Sequence, residues 1–426
     1  MKLECKPWFA GKARGLARQA LDSYFSDSPR SRSESHNGKE ANATMHICLD
    51  VSPTAQNHAG LGRYAGEIAR ALDQYHNQHE MLLFYNRQSE ARLPLYLDHI
   101  PQRTVSIGNK PWRMGVLLSQ LLHWPMDRIF GAVDIFHATN HLLAHFGRAR
   151  TVYTLHDLIF LRYPEYHLPY NRWYLTFAMP RYLRAADVIV TPSECSRQDA
   201  IHYYNVPESK IKVIPEAPAP TFKPAADQAT MERVRQKYHL PAKYILHVGT
   251  IEPRKNLSRL LEAFQALLID WPELRLVLIG QKGWLYESFF QKLSALGLDD
   301  RVIFPGYVDE ADLPACYQLA ELFVFPSLYE GFGLGPLEAM ACGKPVVVSN
   351  SSSLPEVVGE AGLLIDPTDT AALTAALHRV LADPALRTDL AGRALERAQQ
   401  FSWKNVVDEL EKLYCVQVAG LSTTLA

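Results

Sequence analysis

Leu322-Phe323-Val324-Phe325, followed by Glu330-Gly331-Phe332-Gly333-Leu334-Gly335-Pro336-Leu337-Glu338, is the stretch that decides the fold of this chain. The apolar run reads as a buried strand. Pro336 reads as the first residue of a helix, where a missing N–H costs nothing. Gly343 ends that helix, and Pro345-Val346-Val347-Val348 is the next strand. A glycine-rich loop between a strand and a helix N-terminus offers free backbone N–H groups and the positive end of a dipole. Glu330 closes one end of the loop, as the end of the strand, and Glu338 the other. The amides suit a diphosphate, and the two carboxylates suit sugar hydroxyls.

The same alternation continues on both sides. Strands are expected at Tyr244–Val248, Arg275–Ile279 and Val302–Phe304, with helices at Asn256–Ile269, Leu285–Leu296 and Asp312–Leu319. After Asp366 the pattern is helical, ending in an amphipathic helix, Trp403 to Tyr414, expected to cross back onto the first half. That first half repeats the plan, with strands at His46–Val51, Met81–Tyr85, Val133–Phe136, Val152–Leu155, Val188–Val190 and Lys212–Ile214. Helices open at Gly60 and span Asn171 to Arg184. Pro215, Pro218, Pro220 and Pro224 forbid a helix and mark a linker. The fold class is therefore α/β, with domains at 45–226 (plus a crossover helix, 402–416) and 227–401, and a cleft between them at the C-terminal ends of two parallel sheets. Residues 1–44 read as a loose extension or an over-long start before Met45. Ser26 to Thr44 is polar and Ser-rich, and 7–25 suits a short basic helix.

Bulk properties exclude several classes. The chain has 426 residues and a formal net charge of −1, so it lacks the global basic field of a nucleic-acid binder. Its six cysteines form no Cys-x-x-Cys pair, which favours reduced thiols and a cytosolic compartment over a zinc site or disulfide framework. No apolar run reaches the roughly 20 residues of a membrane span. Trp112 to Trp124 is rich enough in Trp and Leu to meet a membrane, although core packing is the preferred use of those side chains.

Three further motifs face the expected cleft. Gly60-Leu61-Gly62-Arg63-Tyr64-Ala65 matches G-x-G-x-x-A and suits phosphate contact, but the second strand ends at Tyr85-Asn86-Arg87 without the acid that a dinucleotide ribose needs. Arg254 and Lys255 lie at a helix start, where cations oppose the dipole; such placement suggests a bound anion. His156-Asp157 follow a strand on the cleft side, in reach of a substrate. No Asp-x-Asp appears, so a metal-held diphosphate of the carboxylate type is not supported, and no G-x-x-x-x-G-K-[ST] appears.

Taken together, Glu330 with seven residues before Glu338, Gly60–Gly62, Thr154-Leu155-His156-Asp157, Gly249 to Asn256 and Phe304-Pro305-Gly306-Tyr307-Val308 resemble family-4 retaining glycosyltransferases of the GT-B fold, over about Met45 to Tyr414. The resemblance implies two facing Rossmann-like domains closing on a nucleotide-sugar without a metal or other cofactor. It implies that Glu338 binds the ribose, and that Glu330 with the backbone of Phe332, Gly333 and Leu334 binds the donor sugar. Lys255, helped by Arg254 and the amides near Gly60 and Gly62, would hold the diphosphate. Tyr307 and Val308 would contact the base, and His156 the sugar beside its reacting carbon. Thr250 departs from the pattern, since many relatives carry Arg there. The segments His156–Phe160 and Gly249–Asn256 are similar to bacterial mannosyltransferases of polysaccharide synthesis, which implies GDP-mannose as donor. The expected acceptor is a glycan or lipid-linked oligosaccharide, with peripheral contact at the inner face of the membrane. The alternatives are another enzyme of the fold (epimerase or sugar phosphorylase), an NAD-dependent oxidoreductase, or a non-catalytic sugar-binding protein.

Overall fold

The computed structural model describes residues 44–57, 59–87, 91–224 and 227–422. The expectations for 7–25 and for residues 26–43 lie outside them. Two parallel sheets form the frame. The first runs β3-β2-β1-β4-β5-β6-β7, from β1 (His46–Asp50), β2 (Glu80–Asn86), β3 (Gln102–Val105), β4 (Ile135–Ala138), β5 (Arg150–Thr154), β6 (Val188–Thr191) and β7 (Ile211–Val213). The second runs β10-β9-β8-β11-β12-β13, from β8 (Tyr244–Val248), β9 (Arg275–Ile279), β10 (Val302–Gly306), β11 (Leu322–Phe325), β12 (Val346–Ser349) and β13 (Leu363–Ile365). The strand order reverses between β1 and β4 and between β8 and β11, where such sheets bind ligands. The central strands are buried on both faces and read as continuous apolar runs, as covered parallel sheets require.

The helices that matter below are α1 (Ala59–Tyr75), α2 (Asn109–Leu122), α3 (Pro169–Ala185), α4 (Leu257–Leu267), α5 (Leu334–Ala341) and α6 (Trp403–Ser422). β3 and β13 were not among the expected strands. Gln102-Arg103-Thr104-Val105 is an edge strand with half its residues exposed and no apolar run, and the apolar run of β13, Leu363–Ile365, is too short to mark a strand. α5 begins at Leu334 rather than Pro336. Gly333 takes φ +128°, a turn only glycine makes easily, and Pro336 still sits in the first turn, where no N–H is missed.

α6 ends the described chain on the first domain, as its amphipathic pattern implies. Trp403, Val406, Val407, Leu410 and Tyr414 join the core of β1, β2 and α1. The Tyr414 hydroxyl meets His137 Nδ1 at 2.7 Å. Ile214 and Ala217 pack in that same core, whereas Ala219 and Phe222 pack in the core of the second domain, so the chain crosses between them within a few residues.

Candidate donor site between the two domains

In the second domain the loops after β8 and β11 are laced together where the strand order reverses. Asn256, at φ +57°, ends a short 3-10 turn (Pro253–Lys255) and precedes α4. Its side-chain amide donates to the Pro326 and Pro367 carbonyls at 3.0 and 2.7 Å, and Leu328 N–H donates to Arg254 O at 2.9 Å. This lacing brings Lys255 Nζ to 2.7 Å from Glu330 Oε1, and Arg254 Nη1 to 2.7 Å from the same oxygen. Arg254 Nη2 also lies 2.5 Å from Glu252 Oε1. Burial alone would push the Glu330 carboxyl up, but Arg254 and Lys255 outweigh it and hold it at about 2. Burial pushes Lys255 down, with Glu330 opposing. The two cations therefore precede the helix instead of standing in its first turn. Their repulsion from the dipole is offset by Glu252 and Glu330, so an anion is not needed to explain them in this state. Glu330 itself lies in the loop, five residues past the end of β11, and is not a strand terminus.

The loop from Glu330 to Glu338 is held from below. Ser353 Oγ donates to the carbonyls of Glu330 (3.0 Å) and Phe332 (2.5 Å), and Glu330 N–H donates to Ser352 Oγ at 2.9 Å. Phe332 is buried in the second core, leaving its backbone for the cleft. Leu334 and Gly335 follow in the first turn of α5, where N–H groups lack intrahelical partners. Glu338, almost wholly buried, accepts from the Tyr317 hydroxyl at 2.8 Å and is ion-paired to Arg63, which comes from α1 of the first domain. Burial raises the Glu338 carboxyl and Arg63 opposes it; the pairing in turn raises the Arg63 guanidinium.

His156 faces this loop from the first domain. A Cβ added to Gly331 would stand 2.3 Å from the His156 carbonyl oxygen, so only glycine lets the two domains meet there. Ser196 Oγ donates to that same carbonyl at 2.7 Å, and Ser193 Oγ donates to Gly331 O at 2.7 Å. The His156 ring is tied at both nitrogens. Nε2 lies 3.0 Å from the Thr139 carbonyl, which can only accept, and Nδ1 lies 3.3 Å from Glu216 Oε1. Burial would lower the imidazole, but Glu216 outweighs it and the ring is held above its ordinary range. Two acceptors call for two N–H groups, the imidazolium form.

Gly60 and Gly62 sit inside the first turn of α1. Gly62 is required by packing: a Cβ there would come within 2.9 Å of the Pro53 carbonyl oxygen. Gly60 has open space around it. Tyr307 is 71% exposed beyond β10, while the Val308 side chain belongs to the second core, so only its backbone can face a ligand. Asn86, where a dinucleotide fold would place an acid, is committed to Asn109 and Ile107.

Three polar groups of the site escaped the sequence reading. Arg63 is a cation just past the first turn of a helix, close to the mismatch that draws attention to Arg254 and Lys255. Glu216 sits in the proline-rich stretch read only as a linker. Asp50, at the end of β1, accepts from Ser52 N–H at 2.9 Å and Asn140 Nδ2 at 3.0 Å, and burial pushes it up. A lone acid ending a strand carries no pattern that marks it.

Two doubly wound domains, with opposed switch points and a carboxylate–cation cluster between them, define the GT-B class of sugar-transferring enzymes. Residues 58–217 match the family described as Glycosyltransferase Family 4, and residues 230–397 that described as Glycosyl transferases group 1. The chain is 35% identical over 391 residues to the O-antigen chain mannosyltransferase B of Escherichia coli, covering 87% of this chain and 99% of that protein. It is 34% identical over 264 residues to the serotype-specific mannosyltransferase WbdA of E. coli, covering 60% of this chain and 32% of that longer protein. Among solved structures, sucrose-phosphate synthase from Thermosynechococcus elongatus superposes with a TM-score of 0.72 at 23% identity, covering 88% of this chain and all of that one. Anabaena Alr3699/HepE, solved with UDP and glucose, superposes with a TM-score of 0.66 at 21% identity, covering 87% of this chain and 99% of that one. The chain belongs to the family-4 glycosyltransferases.

Proposed function

We propose that this enzyme transfers mannose from GDP-mannose, with retention and without a metal, to a glycan or lipid-linked saccharide of surface polysaccharide synthesis. The observation that carries the sugar is the 35% identity to an O-antigen mannosyltransferase along 99% of that protein's length. The chemistry is supported by the cluster of Arg254, Lys255 and Glu330 opposite His156. In this reading the donor diphosphate takes Lys255 and Arg254 from their carboxylates. Glu330 is then free to accept from hydroxyls of the sugar, and Glu338 accepts from those of the ribose once Arg63 gives way. The first-turn amides of α5 and the imidazolium of His156 face the donor, in a site from which water is largely excluded. The chemical step breaks the anomeric C–O bond while negative charge grows on the leaving diphosphate, and cations already in place oppose that charge without reorganising. The acceptor oxygen attacks on the face the diphosphate leaves, and its proton passes to the departing phosphate oxygen. Tyr307 and the backbone of Val308 flank the base.

Titrating the protein with GDP-mannose, GDP, UDP-glucose and UDP in a calorimeter tests the donor. GDP-mannose should bind, and the UDP compounds should bind at least tenfold more weakly. Preference for UDP-glucose would overturn the donor assignment. Transfer of labelled mannose in the presence of a chelator should continue undiminished, and the anomeric coupling of the product should report an α linkage.

A further inference from the structure

The turn Pro253–Lys255 has two sides. Arg254 and Lys255 leave it for Glu330, while Glu252, Pro253 and Asn256 line a separate cavity of about 440 Å³. That volume falls within the roughly 300–1,000 Å³ of small-ligand sites. Both domains build it. Tyr163 and Tyr166, just before α3, line it from the first domain and stack with ring centroids 5.7 Å apart and planes 5° from parallel. Tyr286 lines it from the second. Trp284 Nε1 donates to the Tyr166 carbonyl at 2.5 Å, which fastens the two walls to each other. Leu285, between Trp284 and Tyr286, takes φ +56°, a costly conformation for a bulky side chain, and carries the chain from that tie into the cavity wall. Tyr163, Tyr166 and Tyr286 are half-buried, and their hydroxyls have no hydrogen-bond partner among the described residues. The charged residues of the lining are Glu252 and Arg259, one of each sign. Glu252 Oε1 is turned to Arg254, and Arg259 Nη1 donates to Asn256 Oδ1 and Pro367 O at 3.1 and 2.8 Å. Their charges cancel, so neither a phosphate nor a cation meets an unbalanced field here. The negative faces of the rings suit the weakly positive C–H groups on one side of a pyranose, and uncommitted hydroxyls suit its hydroxyls. A neutral saccharide satisfies both demands.

We propose that this cavity is a second saccharide site, which holds sugars of a neutral glycan chain apart from the donor. One side chain joins it to the donor cluster: Arg254 lies between Glu252 of the cavity, at 2.5 Å, and Glu330 of the donor loop, at 2.7 Å. A glycan held here would stay on the enzyme between transfers; only this consequence rests on the reading of the donor site.

The test is titration of the full-length chain with α-linked mannotriose and with maltotriose, followed by calorimetry and by saturation-transfer NMR. Mannotriose should bind in the millimolar range, and high salt should leave that binding unchanged, since no net charge is involved. Tyr286→Ala and Tyr163→Ala, one on each wall, should each weaken it about tenfold or more, with the thermal midpoint unmoved. Tyr286→Phe, which keeps the ring and loses the hydroxyl, should weaken it only about threefold. The proposal fails if neither trisaccharide binds the native protein, or if both alanine variants bind like the native. Binding of maltotriose alone, lost in the same variants, would uphold the site and count against mannose as the sugar. No nucleotide enters this titration, so its failure leaves the transferase reading standing.

Discussion

The two sheets share a strand order but not the chemistry at the point where it reverses. In the second domain the reversal is charged: Arg254, Lys255, Glu252 and Glu330 neutralise one another within hydrogen-bond distance. In the first domain it holds a single buried acid, Asp50, which accepts from Ser52 N–H and the Asn140 side-chain amide while Thr139 Oγ1 donates to its backbone carbonyl. A cluster of paired ions can exchange partners with a doubly charged phosphate bridge, because each cation gains as much as it gives up. Under the proposed function, this division gives the donor diphosphate to the second domain.

Breaking the charged side should have the largest effect. Lys255→Ala should lower turnover about 10²–10³-fold, the cost of losing one preorganised group facing the developing charge, while the thermal midpoint moves little. Steady-state rates beside calorimetric melting check this; near-native turnover would leave the phosphate role without support. The pH dependence sharpens the same point. The Glu330 carboxyl is held at about 2, below its unfolded value, so its contribution to stability is complete above the unfolded pKa and is lost as pH falls through the folded one. The melting difference between native protein and Glu330→Gln should stay constant above about pH 4.5 and close between there and pH 2.

Arg63 joins the two regions, and its removal should come next. Arg63→Ala leaves the buried Glu338 carboxylate with only the Tyr317 hydroxyl, which should cost about 1–3 kcal/mol in donor-free protein. Arg63→Ala combined with Glu338→Gln should cost less than the two single changes added together, and a double-mutant cycle on melting data measures that coupling. Simple additivity would show the pair to be incidental. The smallest change should come from Glu216→Gln, about 1 kcal/mol. His156 is held above its ordinary value, so its contribution is full at low pH and is lost as pH rises through the folded pKa. Without Glu216 that loss should begin at lower pH, visible as an earlier titration of the His156 ring protons in NMR spectra.

Much of this was legible in the sequence, for reasons that can be named. Covered parallel strands such as Tyr244–Val248 and Leu322–Phe325 announce themselves as apolar runs, and both were located to the residue. Glu330, Lys255 and Arg254 could be grouped because short loops tie them to adjacent strands. What could not be read is what crosses between domains. The resemblance gives Glu338 a ribose, but its pairing with Arg63, 275 residues away, is encoded by no local pattern. Likewise Trp112 to Trp124 offered a choice between packing and a membrane. The helix packs Trp112, Val116 and Leu117 into the first domain and leaves Met114, Leu118, Leu121 and Leu122 exposed, which depends on where its neighbours end.

The crossover of α6 sets the order in which the molecule can be completed. Trp403 to Tyr414 fill a core whose first strand is built from residues 46–50. On a ribosome adding residues from the N-terminus, the earlier domain must wait, its apolar groove open, until the later one has been made. The domain synthesised first is therefore the one finished last, and truncation before Trp403 should leave a folded second domain tethered to an aggregation-prone first.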